Sequence, residues 1–83
     1  MENAPHINEA VANIVKALRK KSRFTQEQLA GFAKTSRSQI AQLEAGTRGV
    51  TLHSLYWLAE SFNTPFIDFL KMIAEERRRL SKH

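Results

Sequence analysis

The 83-residue sequence contains no cysteine. Disulfide bonds and thiolate-ligated metal sites are therefore excluded, and a cytoplasmic location is favoured. No apolar run approaches the ~20 residues that a membrane-spanning helix needs. The first ten residues, MENAPHINEA, lack the basic and apolar regions of a signal peptide. We therefore expect neither secretion nor a membrane partner.

Sequence patterns typical of enzymes are also missing. There is no glycine-rich loop for a phosphate and no nucleophile beside a base. His6, His53 and His83 are too scattered along the chain to suggest a metal site. A chain of this length buries roughly 60% of its unfolded surface, which allows one small core but no deep cleft beside it. We expect a single domain over residues 1–83 that is not an enzyme and binds no metal, cofactor or small-molecule ligand.

The net charge of +5 is unevenly distributed along the chain. Between Lys16 and Arg48 there are eight basic and two acidic residues, a net +6, while the rest has five basic and six acidic residues. An excess confined to one stretch favours a polyanionic partner, with nucleic acid first and an anionic membrane second. A merely basic surface is the simpler alternative.

Apolar residues recur at helical spacing in five segments, and no strand pattern competes with them. Thr25, Ser36 and Thr51 are expected to cap the second, third and fourth helices, and Thr64 with Pro65 is expected to start the fifth. The residues expected to face the core in the first four helices are Val11, Ile14, Val15, Leu18, Leu29, Ala30, Ala33, Ile40, Leu43, Leu52, Leu55, Ala59 and Phe62. The fold class predicted is all-α.

Only about three residues, near Lys34 and Thr35, separate the second and third helices. So short a link forces a steep crossing, which predicts a helix-turn-helix over residues 25–45. The third helix buries Ile40 and Leu43, and its opposite face carries only small or hydrogen-bonding side chains: Arg37, Ser38, Ala41, Gln42 and Ala45. A face this narrow suits the DNA major groove, where Arg binds guanine and Gln binds adenine.

The segment FTQEQLAGFAKTSRSQIAQLEAG, residues 24–46, resembles the helix-turn-helix of lambda-repressor-like, Cro/XRE-type DNA-binding domains. It has the TQ-x-x-LA opening, a central Ser-Arg pair and the I-x-x-L-E-x-G ending of that family, and the resemblance covers most of residues 10–70. It implies a compact five-helix fold that regulates transcription. Restriction–modification controller proteins, phage-type repressors and antitoxin-type regulators share the motif, and the sequence does not choose among them.

The resemblance also implies roles for individual residues. Arg37, Ser38 and Gln42 occupy positions that read base edges in the family. Gln26 and Arg48 occupy positions that bind DNA phosphates, and Gln26 also braces the recognition helix. We expect Lys34 to be a third phosphate contact, although it and Arg23 stand where the family commonly has glycine, so that a left-handed backbone is expected at Lys34.

Glu44 is expected near the buried side of the third helix, because it lies four residues after Ile40 and next to Leu43. A half-buried carboxylate needs a nearby cation. By the family resemblance, that cation is Arg19. We therefore expect a structural Arg19–Glu44 ion pair and exclude Arg19 from the DNA contacts.

The fifth helix, residues 65–80, has more apolar positions than one core-facing stripe requires. We expect Ile67, Leu70 and Ala74 to cover the core. A second row, Phe66, Phe69 and Ile73, then has no partner within the chain and is predicted to form a homodimer interface. The alternative is that this row completes a small core.

These observations predict a sequence-specific DNA-binding transcriptional regulator. It is expected to act as a homodimer on a two-fold-symmetric operator, with half-sites ~34–36 Å apart. The alternative is a protein-binding adaptor or antitoxin-type module that uses the same fold with little affinity for DNA. The sequence assigns no role to Trp57 or Phe32, and the run Arg77, Arg78 and Arg79 suits either a solvated helix end or a phosphate contact.

Overall fold

The computed structural model describes residues 4–82, which form five helices and no strand. The helices are α1 (Ile7–Lys21), α2 (Gln26–Phe32), α3 (Arg37–Glu44), α4 (Leu52–Ser61) and α5 (Phe66–Leu80). α1 packs against α3 and α5, α2 against α3 and α4, and α4 against α5. The all-α, five-helix prediction is confirmed.

Each helix contributes one large, fully buried side chain to a shared core: Val15, Leu29, Ile40, Leu58 and Phe69. Smaller residues such as Ala10, Ala30 and Ala59 fill the space between them. Because these contacts join all five helices, the position of each helix is fixed by several others. The α2–α3 pair is therefore held from behind by α1 and α4.

The side-chain caps predicted for α2, α3 and α4 are present. The Thr25 hydroxyl accepts a hydrogen bond from the Gln28 N–H, and the Gln28 side chain accepts one from the Thr25 N–H, which completes a capping box. The Ser36 and Thr51 hydroxyls likewise cap α3 and α4. The start of α5 differs, because its cap is Pro65 and Thr64 bonds instead to the Phe62 carbonyl.

Four helices end in the same way, with one residue in the left-handed region. These residues are Arg23, Lys34, Gly46 and Asn63, with φ between 54° and 72°. In each case the next N–H bonds back to the carbonyl five residues earlier, as in the Thr35 to Ala30 bond of 2.9 Å. Three of the four residues are not glycine, although this conformation crowds a Cβ atom. The left-handed backbone expected at Lys34 is present.

The structure corrects the orientation predicted for α5. Phe69 and Ile73 are 0% and 4% exposed and belong to the core, whereas Ile67 is 61% exposed. Ala74 is also exposed, Leu70 is half-buried, and only Phe66 of the predicted interface row remains partly at the surface. Burying the larger row removes more apolar area from water, and Phe69 packs against Phe62 with ring centroids 6.3 Å apart. The interface prediction was therefore wrong for Phe69 and Ile73.

A smaller correction applies to α4. Leu52 is exposed, and Leu58, which was absent from the predicted core, is fully buried. Leu52 lies in the first turn after the Thr51 cap, before the helix reaches the core. The inward face of α4 therefore runs from Leu55 through Leu58 and Ala59 to Phe62.

Candidate nucleic-acid interface

The outward face of α3 is largely exposed. Ile40, Leu43 and Glu44 form its buried side. On the opposite side Arg37, Ser38, Gln42 and Ala45 are exposed, and Ala41 is half-buried. On this face the long polar side chains Arg37 and Gln42 lie among the small residues Ser38, Ala41 and Ala45, while the exposed Gln39 side chain is hydrogen-bonded to Thr35. This face is free to enter a narrow groove.

The loop after α3 brings a cation to the end of that face. Arg48 donates a hydrogen bond from Nη1 to Oε1 of Gln42, at 3.3 Å. The Thr47 hydroxyl donates to the Gln42 carbonyl at 3.1 Å, which closes the turn. Gly46 makes this turn possible, because its φ is 72°. The residue expected to bind phosphate, Arg48, is therefore a neighbour of the residue expected to read a base, Gln42. Local sequence patterns do not reveal this contact.

A buried hydrogen-bond network anchors α3 from behind. The Glu44 carboxylate, in a residue only 6% exposed, accepts bonds from Arg19 Nε at 2.6 Å and Nη2 at 3.0 Å. Arg19 Nη1 also donates to the Phe24 carbonyl at 2.8 Å. The hydrogen bonds and charge of Glu44 raise the pKa of Arg19 above its usual value. The structure thus contains the Arg19–Glu44 pair and leaves Arg19 away from the outward face.

Gln26 joins the same network from the first turn of α2. Its Nε2 donates to Glu44 Oε1 at 3.2 Å. An amide nitrogen carries two donors, so one N–H remains for a further acceptor. Gln26 is half-buried. This bond is the bracing contact to α3 that the family resemblance implies for Gln26, and the phosphate contact stays a prediction.

Lys34 is placed differently from Gln26 and Arg48. Its Nζ lies 4.8 Å from the centroid of the Trp57 ring on α4. The two residues share a groove of about 300 Å³, which is also lined by Phe24, Phe32, Glu60 and Ser61. Phe32 packs on Phe24 with ring centroids 5.0 Å apart. Lys34 therefore contacts α4 in the free chain.

The basic residues of the segment Lys16 to Arg48 are mostly exposed. Of the eight basic residues between Lys16 and Arg48, six are exposed, namely Lys20, Lys21, Arg23, Lys34, Arg37 and Arg48. Of the two acidic residues in this stretch, Glu44 is buried against Arg19 and only Glu27 is exposed. The positive charge that the sequence concentrates in this segment therefore faces solvent.

Among residues 4–82, no three His, Asp or Glu side chains lie close enough together to hold a metal ion. His83 lies outside the described residues. None of the helices described is both long and apolar enough to cross a membrane.

The fold and this interface define a DNA-binding protein of the helix-turn-helix class. The helix-turn-helix family profile matches residues 15–69, and the chain belongs to this Cro/XRE-type family. The match begins within α1 and ends within α5, so it includes α2, α3 and α4 completely.

Relatives and solved structures agree with this class. The competence pilus inhibition repressor of Acinetobacter baylyi is 43% identical over 53 residues, which are 64% of this chain and 48% of that protein. The match therefore spans about half the length of this relative.

Among solved structures, the wild-type restriction–modification controller protein C.Esp1396I has a TM-score of 0.76 at 26% identity, covering 84% of this chain and 90% of that one. Its tetramer in complex with its natural 35-base-pair operator gives 0.77 at 25% identity, covering 86% and 93%. The clp gene regulator ClgR of Corynebacterium glutamicum shares the fold, with a TM-score of 0.84 at 20% identity, covering 96% and 85%.

Proposed function

We propose that this chain is a sequence-specific transcriptional regulator that binds double-stranded DNA through α3. The observation that carries the proposal is the exposed face of α3, where Arg37 and Gln42 project between small residues. The major groove is ~12 Å wide and admits a helix of this kind. The similar controller protein was solved in complex with its natural operator, which supports DNA binding by this chain.

Within the groove, Arg37 and Gln42 read bases and Ser38 assists. Arg37 has the planar donor pair that matches guanine O6 and N7, and Gln42 has the donor and acceptor that match adenine N7 and N6. Each such pair gives ~1–3 kcal/mol of discrimination against the wrong base. Arg48 donates to Gln42 Oε1 in the free chain, and this oxygen keeps a second lone pair for adenine N6.

Phosphate contacts come from the residues that flank α3. Gln26 presents its second N–H beside α3, and Arg48 presents its guanidinium from the following loop. Lys34 is the third residue expected to bind phosphate, but its contact with Trp57 supports a structural role in the α2–α3 turn. Lys20, Lys21 and Arg23 add long-range attraction for the duplex.

We further propose that two copies pair through α4 and α5, on a different face from the one first expected. Of the four large hydrophobic residues that are exposed among residues 4–82, three lie on these helices: Leu52, Tyr56 and Ile67. Beside them is an apolar groove of about 400 Å³, whose walls include Val11, Val50, Leu55, Leu70 and Ala74. Exposed apolar surface of this extent is typical of an interface. A two-fold dimer would present two α3 helices to two half-sites.

Selection of bound fragments from a random DNA library tests the proposed function. We expect an enriched, two-fold-symmetric motif with half-sites about one helical turn apart, ~34–36 Å. Arg37→Ala should relax base preference at one position in each half-site. Arg48→Ala should weaken binding to all sequences and reduce the dependence of affinity on salt. The assigned roles would be wrong if both variants lost affinity evenly for every sequence.

A library that yields no enriched motif would contradict DNA reading by α3. That outcome would favour the alternative, a protein-binding adaptor or antitoxin-type module. Exposed Arg78 on α5 provides the matched control, since Arg78→Ala removes the same charge away from α3 and should leave the selected motif unchanged.

A further inference from the structure

Trp57 is the chain's one tryptophan, and a lysine of the helix-turn-helix turn lies over its ring. The 4.8 Å from Lys34 Nζ to the ring centroid is within the ~6 Å range of a cation–π interaction. Trp57 is half-buried and Lys34 is exposed. The contact spans from the α2–α3 turn to α4, two parts of the chain that are more than twenty residues apart.

Lys34 occupies a backbone conformation that disfavours its own residue type. Its φ is 58°, in the left-handed region, where a Cβ atom approaches the following carbonyl oxygen. The turn nevertheless depends on this conformation, because it allows the Thr35 N–H to bond to the Ala30 carbonyl at 2.9 Å. The next residue, Ser36, caps α3. The direction in which α3 leaves the turn is therefore set beside Lys34.

We propose that Trp57 is a positioning residue for α3. Its indole face binds the Lys34 ammonium, offsets the cost of the left-handed conformation and ties the α2–α3 turn to α4. Lys34 then stabilises the turn and does not bind a DNA phosphate. This contact also gives a role to Trp57, to which the sequence assigns none. The effect of Trp57 on DNA binding rests on the proposed function of α3, whereas its contact with Lys34 does not.

A double-mutant cycle in urea unfolding tests the contact without DNA. The variants are Lys34→Met, Trp57→Leu and the double substitution. If Lys34 and Trp57 form a cation–π interaction, the effect of the double substitution on the folding equilibrium constant should differ from the product of the two single effects by about two- to fivefold, which measures their coupling. Lys34→Arg and Trp57→Phe keep a cation and a ring, and both should retain a measurable part of the coupling. Lys71→Met, at an exposed position on α5, should show none with Trp57→Leu. Additive effects of Lys34→Met and Trp57→Leu would overturn the proposal.

DNA binding separates a positioning role from a phosphate contact. With a random-sequence duplex titrated over a range of salt, Lys34→Met and Trp57→Leu should both keep the wild-type slope of log affinity against log salt. With the duplex selected by the wild-type protein, both should lose affinity by a similar factor, and Trp57→Phe should restore part of it. A slope reduced by ~0.9 in Lys34→Met alone would assign Lys34 to a phosphate and overturn the proposal.

The unfolding cycle and the DNA titrations can refute the role of Trp57 and the proposed function separately. If the wild-type protein bound neither duplex, the proposed function would fail, while the unfolding cycle would still decide whether Trp57 holds the turn. If DNA binding were normal and the coupling absent, only the role of Trp57 would be refuted.

Discussion

Replacing Arg19 by alanine should be among the most damaging single substitutions in this chain. Arg19 supplies two of the three hydrogen bonds that the Glu44 carboxylate accepts, and its own side chain is only 15% exposed. Without it, Glu44 remains buried with one bond from Gln26. The Phe24 carbonyl also loses its donor. The cost is therefore that of leaving a buried charge without its partner.

The magnitude follows from that geometry. Removing one partner of a buried ion pair costs ~3–5 kcal/mol. A chain of this length has a total stability of roughly 4–12 kcal/mol. For a domain of this size, each kcal/mol shifts the melting temperature by about 4–8 °C, so Arg19→Ala should lower it by roughly 12–40 °C or leave the chain unfolded.

Thermal unfolding followed by circular dichroism measures this effect. Arg78→Ala is the matched control, because Arg78 is exposed on α5, and its melting temperature should stay close to that of the wild type. Arg19→Met combined with Glu44→Leu removes both charges, so the double variant should be more stable than Arg19→Ala alone. A melting temperature for Arg19→Ala within a few degrees of the wild type would refute the reasoning.

Two further predictions concern α5. Hydrogen bonds from Arg79 and Asn13 lower the pKa of Glu76 to about 2, so this contact stabilises the fold above the usual pKa and is lost as pH falls from about 4.5 towards 2. Because solvent partly screens Arg79, Glu76→Gln should lower the free energy of unfolding by only on the order of 1 kcal/mol near neutral pH. In urea unfolding, the difference between the variant and the wild type should close below pH ~4. A difference independent of pH would contradict this prediction. Ile67→Asp should convert the proposed dimer to a monomer in light scattering, whereas Phe32→Asp, similarly exposed on α2, should not. A dimer that survives Ile67→Asp would exclude the α4–α5 face.

The sequence predicted the helices and the exposed face of α3 because both depend on local chemistry. Capping residues such as Thr25 and Ser36 act within one turn of their helix. The spacing of Ile40 and Leu43 settles which side of α3 is buried, since no other large apolar residues compete on that helix. The family resemblance supplied the one long-range pair that was anticipated, between Arg19 and Glu44.

The orientation of α5 was not predictable in the same way. This helix carries two apolar rows, so its spacing fits burial of either one. The choice depends on shape, because Phe69 fits against Phe62 whereas Ile67 has no such partner in the core. The contacts of Lys34 with Trp57 and of Arg48 with Gln42 were also missed. Each depends on where a long, flexible side chain ends, which local patterns do not encode.

The network around Glu44 makes stability and DNA binding depend on one another. Arg19 and Gln26 reach the carboxylate from α1 and α2, and Glu44 itself is part of α3. The residue proposed to bind phosphate is thus hydrogen-bonded to the helix proposed to read bases. A shift of α3 relative to α2 would stretch the 3.2 Å bond between Gln26 and Glu44. If these proposed roles hold, the chain presents the two kinds of contact in a fixed relative position before it meets DNA, which lowers the cost of ordering them on binding.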